Sequence, residues 1–145
     1  MELNSVQIQA INDYDAPLSF LDKVTQLDKT QIQAVANITM GESFFQGHFP
    51  GNSVMPGVLT IQAMVQAAEI FCHEQGMNVP TLTQLKKARF KKMITPGDQL
   101  KIILKQTNLE KNKIEFSGEA LVNDEIACSA NLSFFIKRLT LLAYN

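Results

Sequence analysis

The residues best suited to chemistry lie between Gly47 and Gln66. His48 stands on a loop before Phe49-Pro50, and Pro56-Gly57 leads directly into an apolar helix beginning Val58-Leu59-Thr60-Ile61-Gln62. A histidine titrates near neutrality, so one held between restricted backbone positions can take up or return a proton. Free N–H groups at a helix start attract negative charge, and glycine there lets a substrate oxygen come close to the backbone. The pair suits proton abstraction beside a carbonyl whose developing charge is gripped by the helix start. Such chemistry also wants an acid. One turn inside the helix the sequence offers instead the amide of Gln62, which forms hydrogen bonds but delivers no proton at neutral pH.

Each feature has a plainer reading. His48 can be a turn histidine bonded to backbone, and Pro56-Gly57 an ordinary helix start. His73, late in the same helix, is explained by favourable interaction with the negative helix C-terminus. Glu69, Cys72 and His73 converge only partly at their spacing, so no metal site is expected. Lys86, Lys87, Arg89, Lys91 and Lys92 crowd a short stretch interrupted by Ala88 and Phe90. Alternation puts Ala88 and Phe90 on a buried face and Lys87, Arg89 and Lys91 outward. A basic rim of this kind steers an acidic partner, and lysines on an edge strand equally deter aggregation.

The elements that must hold these residues follow from periodicity. Leu100, Ile102 and Leu104 alternate with more polar neighbours. So do Ile114, Phe116, Gly118, Ala120 and Val122, and then Ile126, Cys128, Ala130, Leu132, Phe134 and Ile136. Period two over such lengths predicts three strands with one face on a core. Asn123-Asp124 is a hairpin turn candidate, and Pro96-Gly97-Asp98 marks the turn before the first of the three. Upstream, strands are expected from about Leu18 to Leu27 and from Gln31 to Ile38, joined by a turn at Asp28-Lys29-Thr30. A loop runs from Thr39 to Pro56, and a helix from Gly57 to about Gln75 is stopped by Gly76. Its polar residues Gln62, Gln66, Glu69 and His73 form one narrow stripe. A helix so apolar elsewhere is wrapped by its own sheet or by a partner subunit. One long helix with about six antiparallel strands makes an α+β fold with the sheet curled around the helix.

Composition narrows the field. The 145 residues suit a single domain, 46% apolar and 19% charged, which is globular rather than disordered. Thirteen basic against fourteen acidic residues leave a net charge of −1, which argues against general nucleic-acid binding. The start of the chain lacks signal-peptide character and no apolar run is long enough to span a bilayer. Cys72 and Cys128 have no zinc or CxxC spacing and are expected to be reduced core thiols of a cytoplasmic protein.

Gly47-His48-Phe49-Pro50-Gly51-Asn52, Val54-Met55-Pro56-Gly57-Val58-Leu59 and Ala63-Met64 with Gln66 resemble the signature of the (3R)-hydroxyacyl-acyl-carrier-protein dehydratases. Lys87-Ala88-Arg89-Phe90 and Pro96-Gly97-Asp98-Gln99-Leu100 extend the likeness, which covers about residues 20–136. The resemblance implies a hotdog fold, with two such units pairing into a dimer and dimers often assembling further. It implies a β-hydroxyacyl thioester substrate carried on the phosphopantetheine of acyl-carrier protein, a trans-2-enoyl product, and no further cofactor. His48 would take the α-proton and the Gly57 N–H would polarise the thioester carbonyl. Phe49, Pro56, Val58, Thr81 and Phe90 would line the acyl tunnel, and the basic strand would dock the carrier. The family's acid falls on Gln62, its gating tyrosine on Thr81, and Asp13-Tyr14-Asp15-Ala16-Pro17 replaces its His-Arg-Tyr-Pro pattern. Three readings of Gln62 follow. It holds a water in a specialised dehydratase, or the chain pairs with an acid-bearing hotdog subunit, or it binds carrier protein without catalysis. A thioesterase on the same fold is a further alternative, disfavoured by the missing carboxylate. Dehydration in fatty-acid, polyene or polyketide-type synthesis, alone or within a heterodimer, is the leading expectation.

Overall fold

The computed structural model describes residues 1–12, 20–39 and 55–137. His48, Phe49, the rest of the loop motif through Val54, and residues 13–17 lie outside the described residues. Among the described residues two helices, α1 (Ser5–Asn12) and α2 (Gly57–Glu74), accompany six strands. These are β1 (Lys23–Leu27), β2 (Gln31–Asn37), β3 (Thr81–Phe90), β4 (Gln99–Glu110), β5 (Lys113–Val122) and β6 (Glu125–Phe135). The strands form one antiparallel sheet in the order β1-β2-β4-β5-β6-β3. The expected α+β architecture is the observed one. β1 starts later than the sequence pattern suggested, at Lys23, and β2 ends at Asn37.

Hairpin chemistry sets the register of the long strands. Asn123 and Asp124 both take positive φ, 51° and 64°, the backbone of a two-residue turn whose twist matches its strands. Alternate residues of β4 and β5 then point at the helix: Leu100, Ile102 and Leu104 from one, Ile114, Phe116, Ala120 and Val122 from the other, all buried. β6 departs from strict alternation. A register shift opposite Ala120/Leu121 leaves Ile126 half-buried and turns Ala127 inward instead. Phe71 of α2 packs edge-on against Phe116 with ring centroids 5.3 Å apart, and Phe116 meets Phe134 in the same way at 5.8 Å. Fully burying a side chain of this size stabilises by about 1.5–3 kcal/mol, so the helix–sheet contact carries much of the fold. A methyl group on Gly118 would come within 2.9 Å of Leu104 and 3.1 Å of Met64 Sδ, which shows how closely α2 presses on the sheet.

α2 ends as its sequence requires. Gly76 takes φ +78°, its N–H donates to the His73 carbonyl at 3.1 Å, and the Met77 N–H donates to Cys72 at 2.9 Å. That double bond pattern closes the last helical carbonyls and needs a left-handed residue at the glycine.

α1 was not foreseen from hydrophobic periodicity, because only Ile8 of its eight residues is buried. Its start is nevertheless written in the sequence. The Gln7 N–H donates to Asn4 Oδ1 at 3.0 Å and the Asn4 N–H to Gln7 Oε1 at 2.9 Å, a reciprocal capping box. α1 lies on the polar stripe of α2. Asn12 Nδ2 donates to the Gln66 carbonyl at 3.2 Å and to Glu69 Oε1 at 3.1 Å. The fully buried Gln66 accepts the Phe20 N–H on Oε1 at 2.9 Å. Half of the stripe thus fastens the N-terminal segment to the central helix.

Candidate functional site

The start of α2 is fixed from outside the helix. The Met55 N–H donates to the Ile94 carbonyl at 2.7 Å, which ties the residue before Pro56 to the segment leaving β3. Gly57 is thereby laid against Phe90. A Cβ on Gly57 would sit 2.6 Å from Phe90 Cε1, so only a residue without a side chain allows this ring so close to the first helical turn. Around this contact opens a cavity of about 670 Å³. Gly57, Val58, Thr60 and Ile61 form its helix wall, Leu85, Ala88 and Phe90 its strand wall, and Lys91, Lys92 and Met93 continue the wall just past the strand. Apart from Thr60 and the lysines the lining is apolar or glycine, as suits an aliphatic chain.

The strand wall depends on one extra residue. Lys86 pairs with Asn131 but Arg89 pairs with Ser129, so β3 holds three steps where β6 holds two. Lys87 takes φ 54° at this bulge. Leu85 and Ala88, three apart, therefore both line the cavity, while Lys86, Lys87 and Arg89 line grooves on the opposite face of the sheet. Strict alternation would put Lys86 on the side of Ala88; the bulge turns it outward. Alternation also made Phe90 and Ala88 buried. Every residue of β3 is instead exposed in the single chain, and Phe90 is 56% exposed, because the second edge of β3 has no strand beside it among the described residues.

On the outer face the positive charge is answered in part. Glu115 accepts hydrogen bonds from Ser133 Oγ at 2.8 Å and Asn108 Nδ2 at 3.0 Å, and these hold its carboxyl below the usual range, with Lys113 and Lys86 adding to the effect. Lys92 forms an exposed pair with Glu125 at 3.4 Å. Lys87, Arg89 and Lys91 share a groove with Glu119, Ser129 and Asn131.

Other sequence candidates fall elsewhere. Gln62 is half-buried on the strip of α2 that also carries Val58, Val65 and Glu69, the side its own sheet covers least, and it does not line the cavity. Thr81 begins β3 opposite Phe135, at the far end of the strand from Phe90, and is likewise outside the cavity. Pro56 caps the helix beside it without lining it. Among the described residues no group of His, Cys, Asp and Glu could hold a metal ion. Cys72 and Cys128 are free and buried, and burial pushes their thiols up to about 12 and about 11, so neither is a ready nucleophile. No helix among the described residues is long and apolar enough to cross a membrane. Sequence reasoning missed Thr60, Leu85, Met93 and Ala127 of the lining. The bulge hides Leu85 from a parity count, and Thr60 looks like any helical threonine until its hydroxyl is followed.

The FabA-like domain family matches residues 14–131. The 3-hydroxyacyl-acyl-carrier-protein dehydratase FabZ of Alkaliphilus metalliredigens is 37% identical over 138 residues, spanning 92% of this chain and 94% of that protein. The corresponding FabZ of Lactiplantibacillus plantarum is 40% identical over 124 residues, 83% of this chain and 84% of its own. Among solved structures, the dehydratase heterocomplex ApeI:P from Xenorhabdus doucetiae superposes with a TM-score of 0.75 at 17% identity, over 94% of this chain and 95% of its own. That likeness establishes the hotdog fold.

Proposed function

The chain belongs to the FabA-like domain family, and on that premise we propose that it removes water from β-hydroxyacyl thioesters borne by acyl-carrier protein. The observation that carries this reading is the apolar cavity opening at the start of α2, where Gly57 and Phe90 meet. The Gly57 N–H lacks a helical partner by position and polarises the thioester carbonyl. His48 takes the α-proton, the electrons of that C–H bond form the α–β double bond, and the β-hydroxyl leaves as water with a proton given by an assisting group. The proton held on His48 replaces that proton at the end of the turnover. No metal or cofactor is called for. Val58 and Phe90 line the acyl path, Phe49 joins them by the family likeness, and Pro56 and Thr81 fall outside the cavity.

A second subunit completes the site. Gln62 is not among the residues lining the cavity of its own chain, which supports an assisting group for the departing hydroxyl that comes from across an interface along the open edge of β3 and the strip around Gln62. In a homodimer that group is an amide holding a water. In a heterodimer with an acid-bearing hotdog chain it is a carboxyl, worth typically about 10²–10⁴-fold in rate. Gln62 favours the heterodimer. A chain that supports such a partner, or binds carrier protein without turnover, is the alternative that the same residue suggests. Lys86, Lys87, Arg89, Lys91 and Lys92 dock the acidic carrier, and the reaction runs in the cytoplasm, within fatty-acid, polyene or polyketide-type synthesis.

The deciding experiment incubates a 3-hydroxyacyl-carrier protein with wild type, His48→Ala and Gln62→Glu, with and without candidate partner chains. Enoyl product that vanishes in His48→Ala and rises sharply in Gln62→Glu is the expected result. Wild type that never yields enoyl product in any combination defeats the enzyme reading. Release of free acid in its place would make the protein a thioesterase.

A further inference from the structure

The cavity holds one polar feature that the dehydration scheme leaves unused. Thr60 is 1% exposed, and its Oγ1 has no hydrogen-bond partner among the described residues. A helical threonine ordinarily returns its hydroxyl to a carbonyl three or four residues back. Here the Pro56 carbonyl, four back, accepts the Leu59 N–H at 3.0 Å instead. A buried hydroxyl without a partner is costly, and valine would fill the same volume without that cost. Thr60 lines the cavity on the same wall as Gly57, one turn deeper along the helix.

We infer that Thr60 is a specificity-determining residue that selects acyl chains carrying an oxygen atom beyond the β-carbon. The inference rests on the dehydratase reading for the direction in which the chain lies. With the thioester carbonyl on the Gly57 N–H, Thr60 stands three residues on, about 4.5 Å along the axis. An extended acyl chain covers that separation between its thioester carbon and its fourth or fifth carbon. The Thr60 hydroxyl is sealed beneath the lining of the cavity. A carbonyl or hydroxyl at that carbon draws it out by rotation about χ1 between the two rotamers a helical threonine adopts, whereas a saturated chain leaves it unpaired. A site built to hydrogen-bond a substrate oxygen rejects the analogue that lacks it, because the protein group is then stranded. The lysines on the rim do not compete for this role, since they lie where the chain emerges from β3 rather than in the first turn of α2.

The test compares wild type, Thr60→Val and Thr60→Ser on two carrier-bound substrates of equal length, 3-hydroxyacyl and 3-hydroxy-5-oxoacyl. Equilibrium binding and kcat/KM are both measured. Wild type is expected to favour the oxygenated chain. Thr60→Val should lower the preference for the oxygenated over the saturated chain about 10-fold, about 1.4 kcal/mol; Thr60→Ser should restore it. Thermal unfolding of Thr60→Val should be unchanged or occur at higher temperature, since the stranded hydroxyl is gone. Equal changes on both substrates, or none, overturn the inference in binding as in turnover. Selective binding without any dehydration would sink the dehydratase reading while leaving Thr60 as the selector.

Discussion

At the scale of single residues, Gly57 does two separable things: it opens the helix and it makes room for the Phe90 ring. Gly57→Ala favours the helix by up to about 1 kcal/mol but pushes the half-exposed ring aside. Little or no change in unfolding temperature, with a loss of at least about tenfold in dehydration, is therefore expected, and calorimetry beside a product assay separates the two. Gln66 is the opposite case, a residue of the motif whose observed job is structural. Gln66→Leu strands the buried Phe20 N–H and should cost about 1–3 kcal/mol in denaturant unfolding. That difference between neighbours on one helix was not legible from residue type. Gln62 and Gln66 lie on one polar stripe in the sequence, and only the arrival of α1 and Phe20 shows that Gln66 is the buried tie.

At the scale of elements, the turn between β1 and β2 is held by one carboxylate. Asp28 Oδ1 accepts the N–H of Thr30 at 2.8 Å, its hydroxyl at 2.9 Å and the Gln31 N–H at 3.0 Å, and these bonds hold the carboxyl at about 2, below its ordinary value of 3.8. Because the folded state binds the proton less tightly than the unfolded chain, this stabilisation is complete above about pH 4 and is lost as pH falls through about 2. The gap in unfolding temperature between wild type and Asp28→Ala should accordingly be widest near neutrality and close between pH 4 and pH 2. β3 carries strain instead. Lys87 holds a left-handed conformation that costs a residue with a side chain about 1–2 kcal/mol, so Lys87→Gly should stabilise by about 1 kcal/mol in urea. If Lys87 also docks the carrier, binding weakens at the same time. The three long strands were legible because each buries one face over many residues. The β3 bulge was not, since an extra residue in a basic stretch leaves no mark in composition.

At the scale of the whole molecule, the described residues close the helix–sheet core but leave the cavity's surroundings open. Leu82, Leu85, Phe90, Met93 and Val58 are all more than a third exposed along the open edge of β3 and the start of α2. Exposed apolar side chains beside an unpaired strand edge are a place for another chain to pair. Leu85→Glu places a charge in the middle of that edge. It should shift the protein towards monomer in sedimentation velocity, and dehydration should fall with it if the proposed shared site is correct. Fold and family could be read from the sequence because they rest on long periodic stretches and a compact motif. The proposed division of the site between chains came from the family resemblance rather than from periodicity, which does not show which side of α2 its own sheet leaves uncovered.

The additional residue in β3 has a consequence for how this surface can vary. On either side of position 87 the strand is read in opposite phase, so from Leu85 to Phe90 the charged rim and the chamber wall are encoded by interleaved letters, and the two meet at Lys91, which borders both. Substitutions within that stretch can therefore retune one without disturbing the other. Deleting a single residue there would transpose the two scripts, turning the Arg89 guanidinium towards the chamber and the phenyl ring away from it. In this strand spacing constrains change more tightly than residue identity does.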